Sequence, residues 1–140
     1  MKDTVVVPNG NNWHVATRWG YPLFSDIPEF DHATRGTAAS QAGVFGDNND
    51  GMAIFTDQDE HQILIANNEN TNRSVMWSNN PEGKYATDDD IYKAKNAHGF
   101  KANELKEIDG RWQIVKDSSY NRRFTPDEPM EIAGLAAGML

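Results

Sequence analysis

The dipeptide Asp109-Gly110, set between the strand-like runs Phe100 to Glu107 and Arg111 to Lys116, constrains this chain more than any other feature. A two-residue hairpin turn needs positive φ at both positions, which aspartate and glycine tolerate, so the two runs are predicted to pair antiparallel. A second hairpin is predicted upstream. Met52-Ala53-Ile54-Phe55 and Ile63-Leu64-Ile65 read as buried strands within Gly51 to Thr56 and His61 to Ala66. The polar residues Asp57-Gln58-Asp59-Glu60 join them, a connection of hairpin length.

Elsewhere the punctuation is sparser. Val5-Val6-Val7 is β-prone and runs into the turn cluster Pro8 to Asn12, so residues 1–12 read as an N-terminal extension to a domain over 13–140. Trp13 to Trp19 alternates large apolar and polar residues, predicting a strand that Gly20 ends. Tyr21 to Asp31, with Pro22 and Pro28, reads as an ordered loop, and Thr37 to Gln41 as one helical turn at most. Residues 67–86 are polar and irregular, with a turn at Asn79-Asn80-Pro81-Glu82-Gly83. Thr87 then supplies an N-cap, and Asp88-Asp89-Asp90 suit the positive end of a helix dipole. That helix runs through Ile91, Tyr92, Ala94 and Ala97 and stops at Gly99. The chain closes on the apolar run Ile132 to Leu140. The expected fold is mainly β, built of β-hairpins with one short helix.

Composition narrows the function. Thirteen Lys+Arg against 21 Asp+Glu give a net charge of -8, which argues against binding nucleic acid over a broad surface. There is no cysteine, so this chain makes no disulfide, thiolate metal site or cysteine nucleophile. No apolar run approaches membrane-spanning length. The N-terminal apolar stretch is too short for a secretory signal.

The first hairpin has a consequence for chemistry. Its outer ends carry two oxygen-rich clusters, Phe45-Gly46-Asp47-Asn48-Asn49-Asp50 and Ala66-Asn67-Asn68-Glu69-Asn70-Thr71-Asn72, and pairing the strands brings them together. Carboxylates and amide carbonyls crowded at strand ends suit a hard cation such as calcium. Asn49, Asp50, Asn67 and Glu69 are the candidate ligands. The same residue types also serve as Asx-turns and strand-end caps. The spacing is not that of an EF-hand loop, so this is no self-contained calcium motif.

The ordered series Arg18-Trp19-Gly20-Tyr21-Pro22-Leu23-Phe24, Phe30-Asp31, Phe45 to Asp50, Asn67 to Asn72, Ala97-His98-Gly99, Asp109-Gly110-Arg111-Trp112, Asp117 to Arg123, Pro129 to Gly134 and Ala136-Ala137-Gly138 resembles the N-terminal part of the PhoX-type alkaline phosphatases. The resemblance covers nearly all of the chain from about residue 13. It implies a β-propeller-like, metal-dependent phosphomonoesterase of the periplasm or extracellular space, exported by the twin-arginine route. Calcium and iron are the implied cofactors, binding phosphate and activating an oxygen nucleophile. An iron-ligating cysteine and further glutamates lie beyond the Ala-Ala-Gly segment in that pattern, so the chain is expected to be a truncated N-terminal portion, inactive alone, with calcium its most plausible metal. The family usually has a histidine at the position of Asn68 and an aromatic at that of Asp47; Glu69 is the ligand the resemblance best preserves.

Arg122 and Arg123 are candidates for bidentate phosphate contact. The structural alternative is one surface arginine and one packed against a carboxylate. Glu131 reads as structural. His14, His32, His61 and His98 lack zinc-site spacing. Ser118 and Ser119 lack a nucleophile elbow. Trp13, Trp19, Trp77 and Trp112 read chiefly as core. A stand-alone acidic calcium-binding or structural β module without catalysis is the alternative, with self-association through exposed strands as its possible interaction.

Overall fold

Residues 5–79 and 84–138 are described by the computed structural model. The predicted turn at Asn79 to Gly83 therefore lies, Asn79 apart, outside the described residues. So do the first four residues of the N-terminal extension and the last two of the apolar tail.

A five-stranded antiparallel sheet organises the chain. Its strands are β1 (Met52–Thr56), β2 (Gln62–Asn68), β3 (Gly99–Ile108), β4 (Arg111–Ile114) and β5 (Arg122–Phe124). The spatial order is β1-β2-β3-β4, and β5 shares the β4 edge of β3. β3 is long enough for both: Leu105 to Ile108 pair with β4, and Phe100 to Ala102 pair with β5. The Asp109-Gly110 turn has φ of 52° and 72°, the double left-handed conformation that its chemistry predicts.

Three α-helical segments accompany the sheet among the described residues: α1 (Ala38–Ala42), α2 (Arg73–Met76) and α3 (Asp88–Ala97). Only α3 is long, and it starts as predicted. Thr87 Oγ1 accepts from the Asp90 N–H at 3.2 Å, and Asp90 Oδ2 accepts from the Thr87 N–H at 3.0 Å, closing a capping box. The neighbouring Asp89 carboxylate accepts from the Ala38 N–H at 3.1 Å and so ties α1 to α3. α1 matches the single helical turn read over Thr37 to Gln41, with Thr37 as its N-cap, whereas α2 falls in the stretch read as irregular.

The core is split. One part joins Leu23, Phe45, Leu105 and Ile114 against the sheet. The other joins Met76, Trp77, Ala94 and Ala97 around α3. Three expectations need correction. Met52, Ile54 and Phe55 are not buried: β1 is an edge strand that no layer covers among the described residues, and Ile54 and Phe55 are each 58% exposed. Trp13 to Trp19 forms no strand, and Trp13 and Val15 are exposed. Of the tryptophans, Trp77 alone is fully core; Trp19 packs edge-on to Phe30, while Trp13 and Trp112 are exposed. The described part of the apolar tail stays uncovered, with Leu135 fully exposed on a single 3-10 turn, Gly134–Ala136.

Candidate functional site: a strand-end oxygen cluster

The β1–β2 register sets Met52 opposite Ala66, and the Asn67 N–H donates to Gly51 O at 3.0 Å. The ladder therefore runs out where the two polar clusters meet. The Glu69 N–H donates to Asn48 O at 3.2 Å, and Asn48 Nδ2 donates to Asn70 O at 3.0 Å. The juxtaposition read from the sequence is present.

The four candidate ligands divide into two kinds. Asn67 Oδ1 already accepts from the N–H groups of Asp50 and Gly51, at 3.1 and 3.0 Å, while its Nδ2 donates to Asp50 Oδ1 at 2.7 Å. Asn49 Oδ1 accepts from Lys101 Nζ, and its Nδ2 donates to Gly46 O at 3.2 Å. Both amide oxygens are thus committed within the protein. Asp50 and Glu69 are different: both carboxyl groups are exposed at this strand end, and each shifts the proton affinity of the other. The hydrogen bond from Asn67 holds Asp50 below the usual carboxylate range. The neighbouring Asp50 carboxylate pushes Glu69 up. Such a split marks two like charges that cannot comfortably ionise together, and a divalent cation between them removes the conflict. The pair fits part of a calcium shell. It does not fit iron: among the described residues no third carboxylate or histidine joins it.

Sequence reasoning missed the residue at the centre of the cluster. Lys101 is completely buried on β3. Besides Asn49 Oδ1, its ammonium donates to Asn68 Oδ1 at 2.5 Å and to Asn67 O at 3.4 Å, and it lies 3.8 Å from the centre of the Phe45 ring. Burial, and then the charge of Arg123, push it down to about 7, while Asp47 pulls it back. The available signal was alternation: Lys101, Asn103 and Leu105 occupy one face of β3, and Leu105 is core.

The adjacent arginines do not form one clamp. Strand alternation sends them to opposite faces of β5. Arg122 is exposed, 3.3 Å from Glu128 and stacked over Phe124. Arg123 is buried, donates to Asn96 O at 2.6 Å, and has Nε and one terminal nitrogen without a partner. A cavity of about 260 Å³ lined by Trp19, Phe30, Asp31 and Gln41 lies elsewhere and shares no residue with the oxygen cluster.

A second polar network fastens the turn of the first hairpin. His61 Nδ1 donates to Glu104 Oε1 at 2.7 Å, Ser118 Oγ donates to Glu104 Oε2 at 2.5 Å, and the Tyr120 hydroxyl donates to Asp57. The hydrogen bond from Glu104 raises His61 above its ordinary value, more than burial lowers it. Ser118 and then His61 hold Glu104 low. The histidine's contribution to stability is therefore complete below its unfolded value near about 6.5 and is lost as pH rises through the raised folded value. We expect the urea midpoint to fall between mildly acidic and mildly alkaline pH, and Glu104→Gln to flatten that fall. An unchanged slope in the variant would show that His61 does not draw on Glu104.

Comparison with known proteins gives the chain its class. The family profile for alkaline phosphatase PhoX matches residues 1–140. A solved structure of Pseudomonas fluorescens PhoX, in complex with vanadate as a transition state analogue, is 39% identical with a TM-score of 0.85. The match covers 97% of this chain and 23% of that one. Among curated proteins nothing matches. The chain belongs to the PhoX alkaline phosphatase family, and it spans under a quarter of the length of that solved relative. None of its described helices is long and apolar enough to cross a membrane.

Proposed function

We propose that this chain supplies the Asp50–Glu69 carboxylate pair as calcium ligands to a PhoX-type phosphomonoester hydrolase of the periplasm or extracellular space. The meeting of the two polar clusters carries the reading: the Glu69 N–H on Asn48 O and the Asn67 bonds to Asp50 bring two carboxylates to one strand end, where a divalent cation relieves their mutual repulsion. Calcium, when bound there, supplies charge to hold a phosphate ester. The chain's own part is to fix the pair. Asn67 holds Asp50 from one side, and the Asn48 carbonyl anchors the Glu69 backbone. Asn67 acts through the loop, whereas Asn49 is committed to Lys101 and Gly46 and takes no part in holding the pair. Iron belongs to residues other than these. Of the two arginines, Arg122 is the one open to a phosphate, which would replace Glu128.

The sheet is read as one portion of a propeller-like architecture in which further strands cover β1. The vanadate-bound relative supports the phosphate chemistry for the family. The described residues contribute one carboxylate pair, so turnover by this chain alone is not expected. Equilibrium dialysis against calcium, with a p-nitrophenyl phosphate assay in calcium and iron, tests this. Saturable calcium binding lost in Glu69→Gln, without turnover, is the expected result. Absence of binding would overturn the calcium assignment, and metal-dependent turnover would overturn the inactivity.

A second reading, a structural β module, draws on the bare apolar edge of β1, where Met52, Ile54 and Phe55 stand exposed. A stable oligomer insensitive to chelator in sedimentation would favour it.

A further inference from the structure

We propose that the inner half of the strand-end oxygen cluster is a cation site already filled by the chain's own Lys101 ammonium, which stands there in place of a metal ion. The inference concerns the inner half alone and holds whether or not calcium occupies the Asp50–Glu69 pair.

The coordination carries it. Two amide oxygens, Asn49 Oδ1 and Asn68 Oδ1, and one carbonyl, Asn67 O, face a single nitrogen, and the Phe45 ring faces it as well. Neutral oxygens with an aromatic face are a cation's surroundings, and an ammonium has three N–H donors for three acceptors. The oxygens come from both polar clusters, while the cation comes from the neighbouring strand through the pairing of Ala66 with Lys101. The side chain is fully buried and makes no other hydrogen bond among the described residues.

Asn68 gives an independent sign. Its Oδ1 meets Lys101 while its Nδ2 is buried with no partner. Leaving an amide donor unmade is costly. Orientation of the amide is therefore set by the need for oxygen at the cation. Gly46 packs so tightly on this amide that a Cβ there would collide with it, which confines the side chain. A calcium ion needs oxygen at about 2.3–2.6 Å. It cannot take these oxygens while the ammonium holds them, so any divalent ion is confined to Asp50 and Glu69.

Calorimetric titration with calcium chloride alone, at mildly acidic pH where Lys101 carries its proton, separates the possibilities. Asn49→Ala should leave the wild-type calcium affinity within about twofold, because Asn49 is not a ligand while Lys101 is present. Lys101→Ala should bind calcium at least about tenfold more tightly, since it removes a positive charge and frees the oxygens. Adding Asn49→Ala to Lys101→Ala should abolish that gain. Equal affinities in wild type and folded Lys101→Ala, or loss of wild-type binding in Asn49→Ala, would overturn the proposal. No wild-type binding with a clear gain in Lys101→Ala would uphold it and sink the calcium role of Asp50–Glu69 instead. Should Lys101→Ala fail to fold, ¹⁵N spectra of the wild-type lysine ammonium groups decide. A buried Lys101 signal unmoved by calcium supports the proposal, and displacement of that signal contradicts it.

Discussion

Replacing Lys93 with methionine is expected to lower the stability of the fold by about 3 kcal/mol, read as a shift in urea midpoint with an unchanged slope. Lys93 is 2% exposed on α3. Its ammonium donates to Arg35 O and Met76 O at 2.6 Å and to Gly36 O at 3.1 Å. The three carbonyls belong to the loop before α1 and the end of α2, so one side chain holds α3 to both. Burial pushes the group down to about 8, but Asp89 and Asp90 counter part of that, and it stays charged at neutral pH. Methionine keeps the stem's volume and removes all three donors, leaving the carbonyls unpaired. A loss below about 1 kcal/mol would show that water reaches those carbonyls and that Lys93 packs rather than fastens.

Gly99→Ala is expected to cost a similar amount, about 3 kcal/mol or more, through the backbone. Gly99 stops α3 and begins β3 in one residue, with φ of 106°, where a side chain is strained. A Cβ would also run into the carbonyl oxygen of Phe124, which sits on β5 and cannot retreat without unpairing from Phe100. Fluorescence-detected unfolding checks it. A variant of native stability would mean that β5 can shift freely, against the register described. By contrast, Gly110 has open space where its Cβ would be, so alanine there should show only the smaller strain of a positive φ.

The elements that could be read from residues alone were those with local causes. Asp109-Gly110 needs no tertiary partner to turn, and Thr87 with Asp90 closes its box within one helical turn. The meeting of the two polar clusters followed from the same local logic. The burial of β1 did not, because an apolar run declares what it can pack against and not whether a layer is there. β5 and α2 span three and four residues, too short to show a period. The division among the ligands was also illegible. Asn49, Asp50, Asn67 and Glu69 look alike as oxygen donors, and only the register between β2 and β3 brings Lys101 beneath two of the loops and commits Asn49. A lysine in a strand ordinarily reads as surface, and Lys101 and Lys93 are both interior because polar oxygens await them.

The most direct test is the thermal midpoint of wild type, Glu69→Gln and Asn49→Ala, each in EGTA and then in excess calcium. A ligand that binds only the folded state raises its midpoint. The account predicts a rise of several degrees in wild type and in Asn49→Ala, and none in Glu69→Gln. A rise that survives Glu69→Gln, or no rise in wild type with a clean folded baseline, would contradict it and leave Asp50 and Glu69 as turn residues.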